Sequence, residues 1–110
     1  MADTIQLEEV NSYKYRASSG TFNGHIIRKV LDNRQIFQEK IATYCGRVEY
    51  PRWLGGVKEI IHMNNTTVGL AYDPSNMEAS GVISIDGRGE CIAETIGILE
   101  RLLNITLSIK

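Results

Sequence analysis

The chain has 110 residues, 43% of them hydrophobic, with 12 Lys and Arg against 13 Asp and Glu; this fits a single domain, 1–110, that can build a core and still gain from association. A formal charge of −1 without a charge run gives no basic excess to attract nucleic acid. No apolar stretch approaches the roughly 18 residues of a membrane span, and the opening MADTIQLEEV has no charged-then-apolar leader, so a cytoplasmic protein without membrane contact is expected.

Thr4–Arg16 reads as strand, with Ile5, Leu7, Tyr13 and Tyr15 on one parity and Gln6, Glu8, Lys14 and Arg16 on the other. Glu9–Ser12 breaks the alternation, which a bulge or two short strands would explain. Tyr13 and Tyr15 fit half-buried strand aromatics, or a binding face. After a loop at 17–21, Phe22, Ile26, Val30 and Leu31 follow helical spacing, and Phe37, Ile41, Tyr44 and Cys45 repeat it. Asp32 and Asn33 lie between the two runs as cap residues, and Gly46 reads as the stop. Thr21–Cys45 is therefore one broken helix or two joined ones, with a hairpin turning at Asp32–Asn33 as the second reading. His25, Arg28 and Lys29 cluster on this segment, as a patch that meets a phosphate or as a solvated face.

Arg47–Tyr50 is a short strand ended by Pro51. The sole tryptophan, Trp53, follows between Arg52 and Gly55–Gly56, where it can stack on a base or serve a core or an interface. Val57–Met63 fits a strand by Val57, Ile61 and Met63 or a helix by Val57, Ile60 and Ile61; the Asn64–Asn65 turn pair selects a strand hairpinned to Thr66–Tyr72. Asp73–Asn76 is turn chemistry, and Gly81–Asp86 alternates as the next strand. Ile92, Ile96, Leu99 and Leu103 then form a helical stripe, widened by Cys91, Ile98 and Leu102, with Glu94, Glu100 and Arg101 on the wet face. Ile105, Leu107 and Ile109 close the chain as a strand. The order predicts an α+β fold, a mostly antiparallel sheet with two to three helices on one face, with ferredoxin-like topology as the nearest plan. Cys45 and Cys91 sit beside apolar stripes in no paired motif, which predicts buried thiols.

The joint Asp86–Gly87–Arg88–Gly89–Glu90 is the loop with a ligand mechanism. Glycines let backbone approach an anion, a helix start presents free N–H groups, and Arg88 adds a donor fork. The same residues also suit a plain strand-to-helix turn, and Glu90 satisfies the same dipole. The expected ligand residues are Gly87, Arg88 and Gly89 for a phosphate, Trp53 or Tyr72 over a base, and Arg28 and His25 as a further phosphate patch. His25 and His62 have no carboxylate or thiol at motif spacing, and HExxH, CxxC, GxSxG and a phosphate-loop lysine are missing. A non-enzyme without cofactor or metal follows as the expectation.

In size, strand-rich layout and the DGRGE turn ahead of the last helix, the chain resembles the compact sponge proteins that phages use against Thoeris defence. That resemblance implies a homo-oligomer sequestering a cyclic ADP-ribose-type, phosphate-bearing signal without turnover; it carries no family binding residue across. The DGRGECIAETIGILERL run is also similar to the Gly-Arg-Gly turn and helix of Alba-like chromatin proteins, which would imply nucleic acid as the partner. The acidic balance and the strand order depart from that family. A scaffold or inhibitor working through its apolar surface is the third reading.

Overall fold

The computed structural model describes residues 3–17, 28, 33–50, 57–73, 75 and 81–109. Its elements are β1 (Asp3–Asn11), β2 (Lys14–Ala17), α1 (Arg34–Ala42), β3 (Arg47–Glu49), β4 (Val57–Met63), β5 (Thr66–Tyr72), β6 (Val82–Gly87), α2 (Gly89–Leu103) and β7 (Ile105–Ile109). The stripe of Phe22, Ile26, Val30 and Leu31, His25 and Trp53 lie outside the described residues. Among the described residues no helix is long and apolar enough to cross a membrane.

The fold is α+β, with one seven-stranded sheet in the order β3-β4-β5-β6-β2-β1-β7. Every pairing is antiparallel except β1 with β7. The ferredoxin-like plan is not confirmed by this mixed order. In that plan each helical crossover spans one strand, whereas here β6–α2–β7 passes over two, β2 and β1, and β2–α1–β3 passes over three.

Alternation assigns the faces as period two requires. Ile5, Leu7, Ile61, Met63, Val68, Leu70, Ile83, Ile85, Ile105 and Leu107 turn inward to one core with Phe37 and Ile41 of α1 and Ile92, Ile96 and Leu99 of α2. Fully burying each Leu or Ile contributes roughly 1.5–3 kcal/mol, so α2 is a main fastener of the sheet. The irregular Glu9–Ser12 segment resolves into a register shift between Glu9 and Asn11 followed by the turn into β2. Tyr13 sits in that turn, 64% exposed, rather than half-buried in a strand, while Tyr15 packs on the core. Asn64 and Asn65 adopt φ of 51° and 56°, the paired left-handed values of a two-residue hairpin turn whose twist matches its strands.

The stop of α1 falls at Gly46 as expected, but its left-handed residue is Cys45, at φ 58°. Cys45 N–H donates to Ala42 O and Gly46 N–H to Ile41 O, the paired bonds of a Schellman stop. Glycine is needed at 46 for space, because a Cβ there would lie 2.8 Å from Ile41 Cγ2 and 2.9 Å from His62 O. This turn lifts Cys45 to the surface, and Cys91 is half-buried, so neither is the buried thiol that its apolar neighbours suggested. Overpacking predicts that Gly46→Ala loses about 1–3 kcal/mol in urea unfolding. Cys45→Gly, which relieves a left-handed side chain, is expected to gain up to about 1 kcal/mol in the same measurement.

Candidate functional site

The Gly87–Gly89 joint meets the tip of the β4–β5 hairpin. Thr66 pairs with Gly87, and a Cβ on Gly87 would stand 2.7 Å from Thr66 Cγ2, so glycine permits this close approach. Two side-chain bonds fasten the tip to α2. Asn64 Nδ2 donates to Cys91 O at 3.2 Å, and the buried hydroxyls of Thr66 and Thr95 meet at 2.8 Å. Thr66 Oγ1 also lies 2.6 Å from Met63 O, which only its own proton can satisfy, so Thr95 is the donor in the pair. Thr95 sits inside the apolar stripe of α2 for this contact.

Arg88 holds the N-cap position of α2 in extended conformation, gives no side-chain cap, and accepts Ile92 N–H at its carbonyl. Its side chain is exposed and forms no ion pair among the described residues. Gly87 N–H is already committed to Tyr13 O at 2.9 Å. Tyr72 is 7% exposed and belongs to the core, opposite Val57 at the far end of β5 from Thr66. Six residues at about 3.3 Å each put it roughly 20 Å from the Gly87 joint, so Tyr72 and Arg88 do not share a site. Arg28 is helical and exposed; Trp53 and His25 fall outside the described residues.

Beside the hairpin tip an open groove of about 640 Å³ is lined by Tyr44, Cys45, Gly46, Arg47 and residues His62 to Thr67. It runs between the stop of α1 and the β4–β5 turn. Arg47 and His62 of this lining both bond to Glu49. Arg47 Nη1 reaches Glu49 Oε1 at 2.9 Å, and His62 Nε2 meets Glu49 Oε2 at 2.9 Å. The hydrogen bond from His62 and the charge of Arg47 lower the Glu49 carboxyl from its ordinary range. His62 therefore has a carboxylate partner, which motif spacing did not reveal: Glu49 is 13 residues away and one strand across. The available signal was the outward parity of His62, Arg47 and Glu49 on paired strands. Cys45 lines the same groove but makes no hydrogen bond to His62 among the described residues, so thiol and imidazole are not joined as nucleophile and base. Among the described residues no group of three or more His, Cys, Asp and Glu is placed to hold a metal.

A second polar feature lies inside. Glu59 is on the core face of β4, opposite Leu70, and is fully buried. Extending the β3–β4 ladder by one residue sets Tyr50 beside it, and the Arg34 guanidinium stacks 4.0 Å from the Tyr50 ring centre. Among the described residues neither oxygen of Glu59 nor the Tyr50 hydroxyl has a hydrogen bond of good geometry, although the two residues perturb one another. Burial pushes the Glu59 carboxyl up to about 7. Burial, then the neighbouring Glu59, pushes Tyr50 up to about 12.

A carboxyl whose folded pKa lies above its unfolded one favours the folded state while protonated. Stability is therefore lost as pH rises from about 4.5 towards 7 and levels off above. Glu59→Gln is expected to melt close to wild type near pH 4 and progressively above it through neutrality. Parallel melting curves at every pH would show that Glu59 ionises as freely folded as unfolded.

Comparison with family models, curated proteins and solved structures finds no match.

Proposed function

We propose that the chain is a non-catalytic binding protein that holds a small phosphate-bearing molecule, a nucleotide or a cyclic ADP-ribose-like signal. The observation that carries this reading is the groove beside the hairpin tip, with Arg47, His62, Asn64 and Asn65 among its lining residues. Its volume falls in the range of small-molecule sites. Arg47 offers the planar donor fork suited to phosphate, and Asn65 offers a donor and an acceptor suited to a base or ribose. The wall is organised before any ligand arrives, because Glu49 holds the Arg47 and His62 side chains and α2 holds the tip; pre-ordering of this kind lowers the ordering loss on binding.

Arg88 stands behind the same tip, exposed and outside the groove lining. It belongs to this reading as a second guanidinium for a ligand long enough to cross Asn65. The likeness to phage sponge proteins, the expected homo-oligomer and capture without turnover belong to the same proposal. The exposed Val10, Tyr13, Ile36 and Ile109 give association an apolar surface.

A thermal-shift panel of nucleotides and cyclic nucleotides tests the reading, since a ligand that binds only the folded chain raises the melting point. For a nucleotide that shifts the melting point, Arg47→Ala should weaken calorimetric affinity by about tenfold to a hundredfold, the loss of one charge-assisted contact. Glu49→Gln should tighten it, by removing the negative charge that competes with phosphate. Affinity unmoved by Arg47→Ala and lowered by Arg88→Ala would move the ligand to the Gly87–Gly89 joint. A panel without response, together with a salt-dependent shift of duplex DNA, would replace this reading by nucleic-acid binding.

A further inference from the structure

The two edges of the sheet are built differently. The β3 edge is three residues long and carries Arg47 and Glu49, the short, charged form that discourages another strand from adding. The β7 edge is Ile105–Ile109, with sequence ITLSI. It has no charge, no proline and an unbroken register against β1, and among the described residues no strand pairs with its outer side. Ile105, Thr106 and Ile109 are β-branched residues that favour a strand.

One side chain occupies that edge. Leu107 N–H donates to Glu100 Oε2 at 3.0 Å, so this amide faces away from β1. Alternation along a strand then puts the N–H and C=O groups of Ile105, Leu107 and Ile109 on the outer edge together. Glu100, expected on the wet face of α2, is half-buried and satisfies the central donor of the three.

The edge is complementary to itself. In antiparallel pairing about a two-fold axis at Leu107, Ile105 faces Ile109 of the second copy, and Thr106 faces Ser108 of the second copy. Apolar meets apolar on the core side and hydroxyl meets hydroxyl on the other. Ile109, 50% exposed in the single chain, gains cover from Ile105 of the second copy. The outward groups of 105, 107 and 109 are those that exchange bonds in this register. The same axis brings the two Glu100 carboxylates towards each other, and each already holds a central amide.

We propose that β7 is a self-association edge through which two copies join by antiparallel pairing centred on Leu107, and that the Glu100 carboxylate is the guard that holds it closed. The guard must release Leu107 before the second strand can add. A five-residue strand pair is a small contact, so the dimer is weak until the guard is removed.

Sedimentation velocity over a micromolar-to-millimolar series of the full chain tests this. Glu100→Ala should dimerise at a concentration at least about tenfold below wild type, as expected for freeing hydrogen-bonding groups and removing a like-charge contact. Adding Ile109→Pro, which deletes an outward donor without touching the β1 pairing, should return Glu100→Ala to monomer. Equal association of Glu100→Ala and wild type would overturn the proposal, as would a dimer indifferent to Ile109→Pro. If circular dichroism shows Glu100→Ala unfolded, amide exchange of wild type decides. Concentration-dependent protection of the Ile105 and Ile109 amides supports the pairing, and unchanged exchange across the millimolar range refutes it.

Discussion

The candidate site depends on one buried contact, the hydroxyl pair of Thr66 and Thr95. A hairpin tip is ordinarily the most mobile part of a sheet. Here the first residue after the turn is tied to the middle of the fastening helix, and Asn64 adds a second tie one turn earlier along it. The groove wall thus inherits the rigidity of the helix–sheet core. The arrangement is all-or-none in character, because a buried hydroxyl deprived of its partner loses about 1–3 kcal/mol.

Much of the architecture was legible in the residues because its elements have a single dominant period. The alternation of Val68, Leu70 and Tyr72, the stripe of Ile92, Ile96 and Leu99, and the Asn64–Asn65 turn were each specified locally, and each appears where expected. Strand order was not legible, since alternation tells a strand which face to bury and nothing about its neighbour. The site was read less well for the same reason. Glu49 and His62 are brought together by strand pairing, not by spacing. Tyr72 looked like a ligand aromatic until its parity with Val68 and Leu70 placed it in the core. Cys45 looked buried by helical phase, but the chain leaves the helix before reaching it.

Glu59 departs from local consistency in another way. Its position in β4 carries the parity of Ile61 and Met63, and an apolar residue would satisfy every packing demand there. Instead a carboxyl lies beside a tyrosine hydroxyl, neither with a well-formed hydrogen bond among the described residues, and an arginine stacks on the ring. Buried polar groups of this kind reduce stability, and sequences depart from local rules most often where structure serves a purpose other than stability. The Arg34–Tyr50–Glu59 column also joins the first turn of α1 to the edge of the sheet, the same two elements that flank the groove at their other ends.

The passage from α2 into β7 uses one residue, Asn104, in left-handed conformation at φ 54°. No slack separates a helix that turns 100° per residue from a strand that inverts with every residue. The two periodicities are therefore phased against each other by a single asparagine. Lengthening the junction by one amino acid would exchange the faces of the final strand, sending Thr106 and Ser108 into the interior and Leu107 into water, while α2 stayed as it is. This corner of the molecule therefore admits no change of length that leaves the faces of both elements in place.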